Sequence, residues 1–210
     1  MGLIPASSPG NHPLGTAVRN VIRYKGLKIA VFENVYEPAE DTYLLAENIP
    51  REPTRLLEIG TGTGIVALTA ARLGHDVTAT DVNPAATACA RWNARINRTP
   101  IDVREGDLFE PVRGETYDVV LFNPPYLPPS ELPEDDPIHA ATEDPTVIRR
   151  FLRGLIDGEV EWKKAYLVVS TLTPDEHLRP LRHLHHRTVA TRRLFFEELK
   201  LLEITRGKNP

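Results

Sequence analysis

Leu56-Leu57-Glu58-Ile59-Gly60-Thr61-Gly62-Thr63-Gly64 is the stretch that decides the fold of this chain. An apolar run that ends in alternating glycines and continues into a helical pattern, Ile65 to Leu73, is typical of the strand, turn and helix of an α/β sheet. Ligands of such sheets bind beyond the carboxyl ends of the strands. The glycines let backbone amides approach a ligand closely, because no Cβ stands in the way. The sequence therefore predicts a small-ligand site at this turn.

The spacing of the glycines narrows the choice of ligand. A dinucleotide fingerprint needs its third glycine one position later, where this chain has Ile65, so nicotinamide and flavin cofactors are disfavoured. The chain also lacks the GxxxxGK[ST] loop that holds a nucleoside triphosphate. A second strand, Asp76 to Thr80, ends in Asp81, whose acceptor-only carboxylate suits the two ribose hydroxyls of an adenosyl group. Together these features indicate S-adenosyl-L-methionine (SAM) as the cofactor.

Composition limits the class of protein. The 210 residues match one ordinary domain, and 25 basic against 29 acidic residues give a formal net charge of −4. That balance counts mildly against a nucleic-acid substrate. Cys89 is the only cysteine, which favours a reducing compartment. The sequence has no apolar run of the roughly 20 residues that span a bilayer and no signal-peptide pattern, so we expect a soluble, cytoplasmic protein with no membrane contact.

The rest of the chain alternates predicted strands and helices. The predicted strands are Leu27 to Phe32, Arg55 to Ile59, Asp76 to Thr80, Ile101 to Arg104, Tyr117 to Phe122, Ala165 to Ser170, and a final pair at about Thr188 to Phe195 and Leu199 to Thr205. The predicted helices are Asp41 to Asn48, Gly64 to Leu73, Pro84 to Asn97, Thr146 to Asp157 and Asp175 to His185. This order predicts an α/β, Rossmann-like fold: a seven-stranded, mostly parallel sheet with helices on both faces and a C-terminal antiparallel hairpin.

Asp107 and a group of three histidines can each be interpreted in two ways. Asp107 follows the third sheet strand, where it can meet an adenine ring, or it can be a turn aspartate that bonds its own backbone. His183, His185 and His186 lie in a basic segment without a cysteine or carboxylate framework. We interpret them as the cationic end of the last predicted helix, and we predict no metal site.

The sequence Asn123-Pro124-Pro125-Tyr126 follows the fourth sheet strand and predicts the chemistry. A planar amide or amino nitrogen is a poor nucleophile because its lone pair is delocalised. Two acceptors, the side-chain oxygen of Asn123 and the carbonyl of Pro124, can hold its N–H groups and orient the lone pair, in a turn that the prolines stiffen. Tyr126 can stack on the flat acceptor group. Because SAM already carries an activated methyl group, this transfer needs no metal and no covalent intermediate.

With these residues, the chain resembles the class I SAM-dependent methyltransferases over nearly its whole length. In that family NPPY is specific to the methylation of planar nitrogens, in glutamine amides or in the exocyclic amino groups of bases. The segment Val35-Tyr36-Glu37-Pro38-Ala39-Glu40-Asp41-Thr42 is similar to the signature of the archaeal and eukaryotic HemK-like branch, the release factor glutamine methyltransferases. The resemblance implies methylation of the N5 amide of the glutamine in the GGQ motif of a class I translation release factor.

The resemblance also implies roles for individual residues. Those implied to bind the cofactor are Tyr36, Glu40, Thr42, Glu58, Gly60, Gly62, Gly64, Asp81, Val82, Asp107, Leu108 and Asn123, and those implied to hold the glutamine amide are Asn123, Pro124, Pro125 and Tyr126. For the segment before the first sheet strand, the alternative is that Asp41 or Thr42 only caps the helix and Tyr36 packs on it. We expect residues 1–33 to form an N-terminal extension with a short strand, and residues 34–210 to form the methyltransferase domain.

The chain is short for a bacterial-type enzyme of this family, since no helical domain precedes the cofactor strand. The resemblance therefore implies that a small zinc-binding activator subunit shares substrate recognition. One departure concerns the segment after NPPY, where the branch usually has a tryptophan and paired glycines and this chain has Ile138-His139-Ala140-Ala141-Thr142. That difference bears on the shape of the substrate loop.

Other functions are open to the same residues. The NPPY chemistry also permits methylation of adenine N6 or guanine N2 in RNA or DNA, and some members of the branch act on a lysine of another protein. A non-enzymatic subunit that keeps the fold is a further alternative. The intact Asn123 and the uninterrupted glycine turn argue against it.

Overall fold

The computed structural model of the protein describes residues 17–126, 144 and 146–207. An N-terminal hairpin comprises β1 (Val18–Tyr24) and β2 (Leu27–Phe32). The strands of the main sheet are β3 (Arg55–Ile59), β4 (Asp76–Asp81), β5 (Asp102–Glu105), β6 (Thr116–Phe122), β7 (Glu161–Ser170), β8 (Leu184–Arg193) and β9 (Glu198–Arg206). The helices are α1 (Glu40–Glu47), α2 (Ile65–Arg72), α3 (Pro84–Asn97), α4 (Thr146–Asp157) and the short α5 (Asp175–Leu178).

The main sheet has the strand order β5-β4-β3-β6-β7-β9-β8. Strands β3 to β7 pair in parallel, and β9 pairs antiparallel with β7 and with β8. From β3 the chain first moves outward through β4 to β5 and later in the opposite direction from β6 to β7. Right-handed crossovers then place α2 and α3 on one face and α4 on the other. The predicted Rossmann-like sheet with its C-terminal antiparallel hairpin is confirmed.

The central strands are buried on both faces, which explains their nearly continuous apolar sequences. Leu56 and Leu57 of β3 and Val120 and Leu121 of β6 have no exposed surface. These two strands are neighbours, with Leu56 opposite Val119 and Ile59 opposite Phe122. Their carboxyl ends therefore open at the same edge of the sheet, and the residues that follow them lie side by side.

The helix predicted over Asp175 to His185 is wrong. The α-helix ends at Leu178, a 3-10 turn covers Arg179–His183, and β8 begins at Leu184. Pro180 has no N–H to donate and disfavours a continuing helix, so the chain turns into the edge strand instead. His185 and His186 consequently lie in an exposed strand, and our interpretation of them as a helix end is also wrong.

The sequence predicts β2 of the N-terminal hairpin but not its partner β1. The hairpin packs on α3 through Asn93, whose side chain is fully buried. Asn93 Oδ1 accepts from the Ala30 N–H at 2.8 Å, and its Nδ2 donates to the carbonyls of Ala30 and Thr63 at 2.8 and 2.9 Å. One amide thus joins the hairpin, α3 and the glycine turn, which keeps the N-terminal hairpin fixed beside the ligand turn.

Two other findings concern the described residues alone. None of the helices there has the length and apolarity that crossing a membrane requires. Within the same ranges, no three His, Cys, Asp or Glu side chains form a group that can hold a metal ion. The segment Ile138 to Thr142 lies outside the described residues.

Candidate active site

The turn after β3 is anchored by a buried carboxylate. Glu58 is only 3% exposed, and its Oε2 accepts hydrogen bonds from the Thr61 hydroxyl at 2.7 Å and the Ala67 N–H at 2.9 Å. Burial outweighs these bonds and raises the pKa of Glu58 to about 8. Glu58 therefore ties the first turn of α2 to the strand, and at neutral pH it is largely protonated in the absence of a cation.

Two glycines of this turn have different surroundings although both have positive φ. Gly62 (φ +54°) borders open space, since a Cβ built there meets no atom within 4 Å. Gly64 (φ +80°) packs against α3, where a Cβ would lie 3.0 Å from the Cβ of Ala90. Gly62 is therefore a cavity residue, whereas Gly64 allows the close approach of two helices.

Asp81, at the end of β4, holds the turn from the other side. Its Oδ2 accepts from the Gly62 N–H at 2.8 Å, and its Oδ1 accepts from the Asn83 N–H at 2.9 Å. Burial raises the pKa of Asp81 as well. The Val82 N–H also bonds this carboxylate, and since two carboxylate oxygens can accept about four hydrogen bonds, acceptor capacity is left for a ligand.

These residues surround a cavity of about 210 Å³ at the carboxyl edge of the sheet. The predicted site residues that line it are Tyr36, Thr42, Glu58, Gly60, Gly62, Asp81, Val82, Asp107, Leu108, Asn123 and Pro125. Four predicted site residues are not among its lining residues: Glu40, Gly64, Pro124 and Tyr126. The cavity thus brings together residues from the segment before α1 and from the ends of β3, β4, β5 and β6.

Three buried oxygens at this cavity have no hydrogen-bond partner in the described part of the chain. They are the hydroxyls of Thr63 and Thr80 and the side-chain Oδ1 of Asn123. An unpaired buried polar atom costs about 1–3 kcal/mol, so three such atoms around one cavity point to a bound polar ligand. The sequence analysis missed Thr63 and Thr80, although each is adjacent to a residue that it selected.

The segment before α1 meets the end of β6 through Asp41, another residue that the sequence analysis did not select for the site. Asp41 is 4% exposed; its Oδ2 accepts from the hydroxyls of Tyr36 at 3.5 Å and Tyr126 at 3.3 Å. Its Oδ1 accepts from the Thr42 N–H at 2.6 Å. Burial and then the Asp41 charge raise the pKa of both tyrosines well above the ordinary value. Asp41 therefore connects the segment before α1 to the last residue of NPPY. The alternative of a simple helix cap is wrong for Asp41, because the N-cap position is Ala39, but it holds for Thr42, whose hydroxyl accepts from the Ala39 N–H at 3.4 Å.

The charged residues at the rim of the cavity are paired with distant elements. Glu40 forms an ion pair with Arg192 of β8 at 2.6 Å, which joins α1 to the C-terminal hairpin. Asp107 forms an ion pair with Arg150 of α4. Leu108, next to it, has φ +47°, an unusual conformation for a leucine that fixes the turn at the cavity wall.

Comparison with known proteins identifies the family. The model of the methyltransferase small domain matches residues 33–135. A Methanocaldococcus jannaschii protein, provisionally named a protein N5-glutamine methyltransferase, is 34% identical over 196 residues, which cover 89% of this chain and 99% of that protein. Methyltransferase HEMK2 of Homo sapiens is 39% identical over 115 residues, which cover 48% of this chain and 54% of HEMK2.

Solved structures agree with these matches. A chain of the E. cuniculi Mtq2-Trm112 complex, described as responsible for the methylation of the eRF1 translation termination factor, has a TM-score of 0.64 and 30% identity, covering 83% of this chain and 99% of that one. The T. thermophilus 16S rRNA N2 G1207 methyltransferase, in complex with AdoMet and guanosine, has a TM-score of 0.65 and covers 90% of this chain and 50% of that one. Its 17% identity supports the fold alone. On the full-length match to the M. jannaschii protein and the likeness to Mtq2, this chain belongs to the HemK-like family of protein N5-glutamine methyltransferases.

Proposed function

We propose that this protein transfers a methyl group from SAM to the side-chain amide of a glutamine, in the GGQ motif of a class I translation release factor. The observation that carries the proposal is the buried Oδ1 of Asn123, which lies at the cavity without a partner among the described residues. This oxygen can accept a hydrogen bond from an amide N–H, and no described residue donates one to it. The names of the relatives point to the same acceptor.

The residues at the cavity suit SAM. When bound, SAM supplies a methyl group that its positive sulfur already activates. The cofactor also carries an ammonium group, and burial raises the pKa of two carboxyl groups at this cavity, Glu58 and Asp81. A cationic ligand offsets the cost of ionising these buried carboxyl groups, because its positive charge stabilises the carboxylate form. Asp81 would hold the ribose, and the hydroxyls of Thr63 and Thr80 would gain the partners that they lack.

The acceptor amide would be held on the opposite side, at the end of β6. Asn123 Oδ1 and the Pro124 carbonyl would accept its two N–H groups and turn the nitrogen lone pair toward the methyl group. The nitrogen so held would take the methyl group, with the electron pair of the broken C–S bond left on sulfur, and would then lose one proton to water. Most of the rate enhancement then comes from orientation rather than from a general base.

We also propose that a small zinc-binding subunit assists this chain. Support comes from the likeness to the Mtq2-Trm112 complex, in which the methyltransferase chain has a partner. This chain spans 99% of that methyltransferase chain but only about half of the bacterial release factor glutamine methyltransferase of Geobacter sulfurreducens, at 53%. A separate subunit can supply the contacts that the longer enzyme makes within one chain.

A methyl-transfer assay with radiolabelled SAM tests the proposal. The acceptors are the release factor, its GGQ variant with asparagine in place of glutamine, and total RNA, each with and without the zinc-binding subunit. We expect label on the native release factor alone. Label on RNA would instead support the nucleic-acid alternative, and label on neither would refute both.

Asn123→Ala provides the matched test of the residue. Since an acceptor that stabilises the reacting group is lost, we expect kcat to fall by about 10²-fold or more, with the affinity for SAM changed less than about threefold. Asn48→Ala is the control, because the Asn48 side chain bonds the Leu44 carbonyl at the end of α1, away from the cavity lining. Equal kcat values for the two variants would refute the role of Asn123.

A further inference from the structure

Phe195 and Phe196, in the turn between β8 and β9, are the most exposed large apolar side chains in the described residues. They are 93% and 86% exposed, and their rings pack edge to face with centroids 4.6 Å apart. Leu172, in the loop after β7, is 43% exposed. Aromatic side chains are enriched in protein interfaces, and an exposed pair of them marks a contact surface. We call Phe195 and Phe196 the aromatic turn.

The aromatic turn is held rigidly. The Leu194 N–H donates to the Glu197 carbonyl at 2.8 Å, which closes the turn. The loop after β7 braces it: the Thr171 N–H donates to the Glu198 carbonyl at 3.0 Å, and the Glu198 N–H donates to the Thr171 hydroxyl at 3.0 Å. The Ser170 hydroxyl also bonds the Glu197 carboxylate. A surface ordered in advance loses little conformational entropy when it binds a partner.

The aromatic turn lies at the same edge of the sheet as the acceptor side of the cavity. Phe122 at the end of β6 pairs with Leu167 of β7, and Ser170 at the end of β7 pairs with Leu199 of β9. Burial, the Asp41 charge and then the Glu197 charge raise the pKa of Tyr126, so Glu197 lies near enough to act electrostatically on the last residue of NPPY. The turn therefore flanks the place where the acceptor enters, on the side away from the glycine turn and Asp81.

The charges near the aromatic turn favour a cationic polypeptide over a nucleic acid. Arg192 is paired with Glu40 and Glu47, and Arg193 is paired with Glu198 at 3.0 Å. Lys200 also pairs with Glu198, at 3.7 Å, so these three cations are engaged by carboxylates, whereas Glu197 has no cationic partner within the described ranges. A phosphate backbone would be repelled there, whereas a lysine or arginine would be attracted.

We propose that the aromatic turn is the docking point for the polypeptide that carries the acceptor glutamine: Phe195 and Phe196 contact an apolar side chain, and Glu197 faces a basic residue of that polypeptide. The inference rests on the proposed function, because it assigns the substrate surface of the same site. It adds a recognition element about 70 residues beyond NPPY in the sequence.

The test compares steady-state methylation of the release factor by the wild-type protein, with its zinc-binding subunit, and by the double variant Phe195→Ala/Phe196→Ala. We expect the KM for the release factor to rise at least about tenfold, as for interface aromatic residues, while kcat and the Kd for SAM stay within twofold. Ile96→Ala is the control, since Ile96 is an exposed apolar residue of α3, 37% exposed. We expect Glu197→Gln to raise the KM at low salt and to have less effect at high salt.

The outcomes separate the docking proposal from the proposed function. A wild-type protein that leaves the release factor unmethylated refutes both. A wild-type protein that is active, with an unchanged KM in the double variant, refutes the docking point alone. If the wild-type protein methylates RNA and the double variant binds that RNA more weakly, the turn stacks on bases and the polypeptide assignment is wrong.

Discussion

At the scale of single residues, the buried Asp41 carboxylate sets the position of Tyr126. Tyr126→Phe removes one hydrogen bond to a charged acceptor, which contributes about 1.5 kcal/mol. We expect this change to lower kcat/KM about tenfold in the wild-type protein and about twofold in an Asp41→Asn background. That difference is a coupling energy of about 1 kcal/mol, measured by a double-mutant cycle.

Tyr24→Phe is the matched control for this cycle. The Tyr24 hydroxyl is buried and has no hydrogen-bond partner among the described residues, so its removal should leave kcat/KM unchanged and should not lower stability. Additive effects of Asp41→Asn and Tyr126→Phe would show that the two residues act independently.

The sequence predicts the membership of some residues in the site better than that of others. Gly60, Asp81 and Asn123 each follow a strand, and the alternation of strands and helices already brings the strand ends to one edge. Asp41 and Tyr126 are 85 positions apart, and their contact depends on how the segment before α1 packs against the end of β6. No local pattern contains that information, so Asp41 looked like a helix cap.

At the scale of elements, two glycines of the turn after β3 have different roles: Gly64 allows helix packing, and Gly62 borders the ligand cavity. Gly64→Ala places a Cβ against Ala90 of α3 in a left-handed conformation, and we expect a loss of about 3 kcal/mol of stability with cofactor affinity changed less than threefold. Gly62→Ala meets no protein atom within 4 Å, so its loss of stability is only about 1 kcal/mol from backbone strain. Its methyl group borders the cavity, and we expect SAM to bind at least about tenfold more weakly.

Chemical denaturation gives the two stabilities, and calorimetric titration with SAM below both unfolding midpoints gives the two affinities. Each variant is the control for the other, because both introduce the same methyl group at a positive φ. If Gly62→Ala and Gly64→Ala showed the same ratio of stability loss to affinity loss, the assignment of Gly64 to packing and Gly62 to ligand binding would be wrong.

The elements that the sequence predicted well are those with local boundary signals. For α3 the predicted and observed limits agree, since Asn83 caps the helix through the Ala85 N–H and Pro84 occupies its first turn. Strand β1 has a half-exposed, weakly alternating sequence, and its pairing with β2 is what makes it a strand. The predicted last helix, Asp175 to His185, is too long because its pattern of basic and apolar residues continues past Pro180, whereas the α-helix ends at Leu178.

At the scale of the whole molecule, one buried acid makes stability depend on pH. Glu58 keeps its proton in the folded protein up to about pH 8, whereas the unfolded chain loses it near 4.5. The folded state thus binds more protons across this interval, so the free energy of unfolding falls as pH rises through it. At about 1.4 kcal/mol per pH unit, the loss is at most about 5 kcal/mol. Asp81 acts in the same direction, because its pKa is also raised.

Urea denaturation at pH 5.5 and pH 8.5 measures most of this loss. Glu58→Gln should reduce the loss because glutamine keeps the two hydrogen bonds to its side-chain oxygen and does not ionise. The pKa values of Glu115, Asp118 and Glu203 are lowered, so these groups stabilise the folded protein fully at any pH above the ordinary carboxyl range. Their contributions are therefore the same at pH 5.5 and pH 8.5. A cationic cofactor favours the ionised form of Glu58. We therefore expect SAM to stabilise the wild-type protein more at pH 8.5 than at pH 5.5, and Glu58→Gln to weaken this difference. An unchanged pH dependence in Glu58→Gln would mean that Glu58 is ionised in the folded protein, with its charge balanced at the turn.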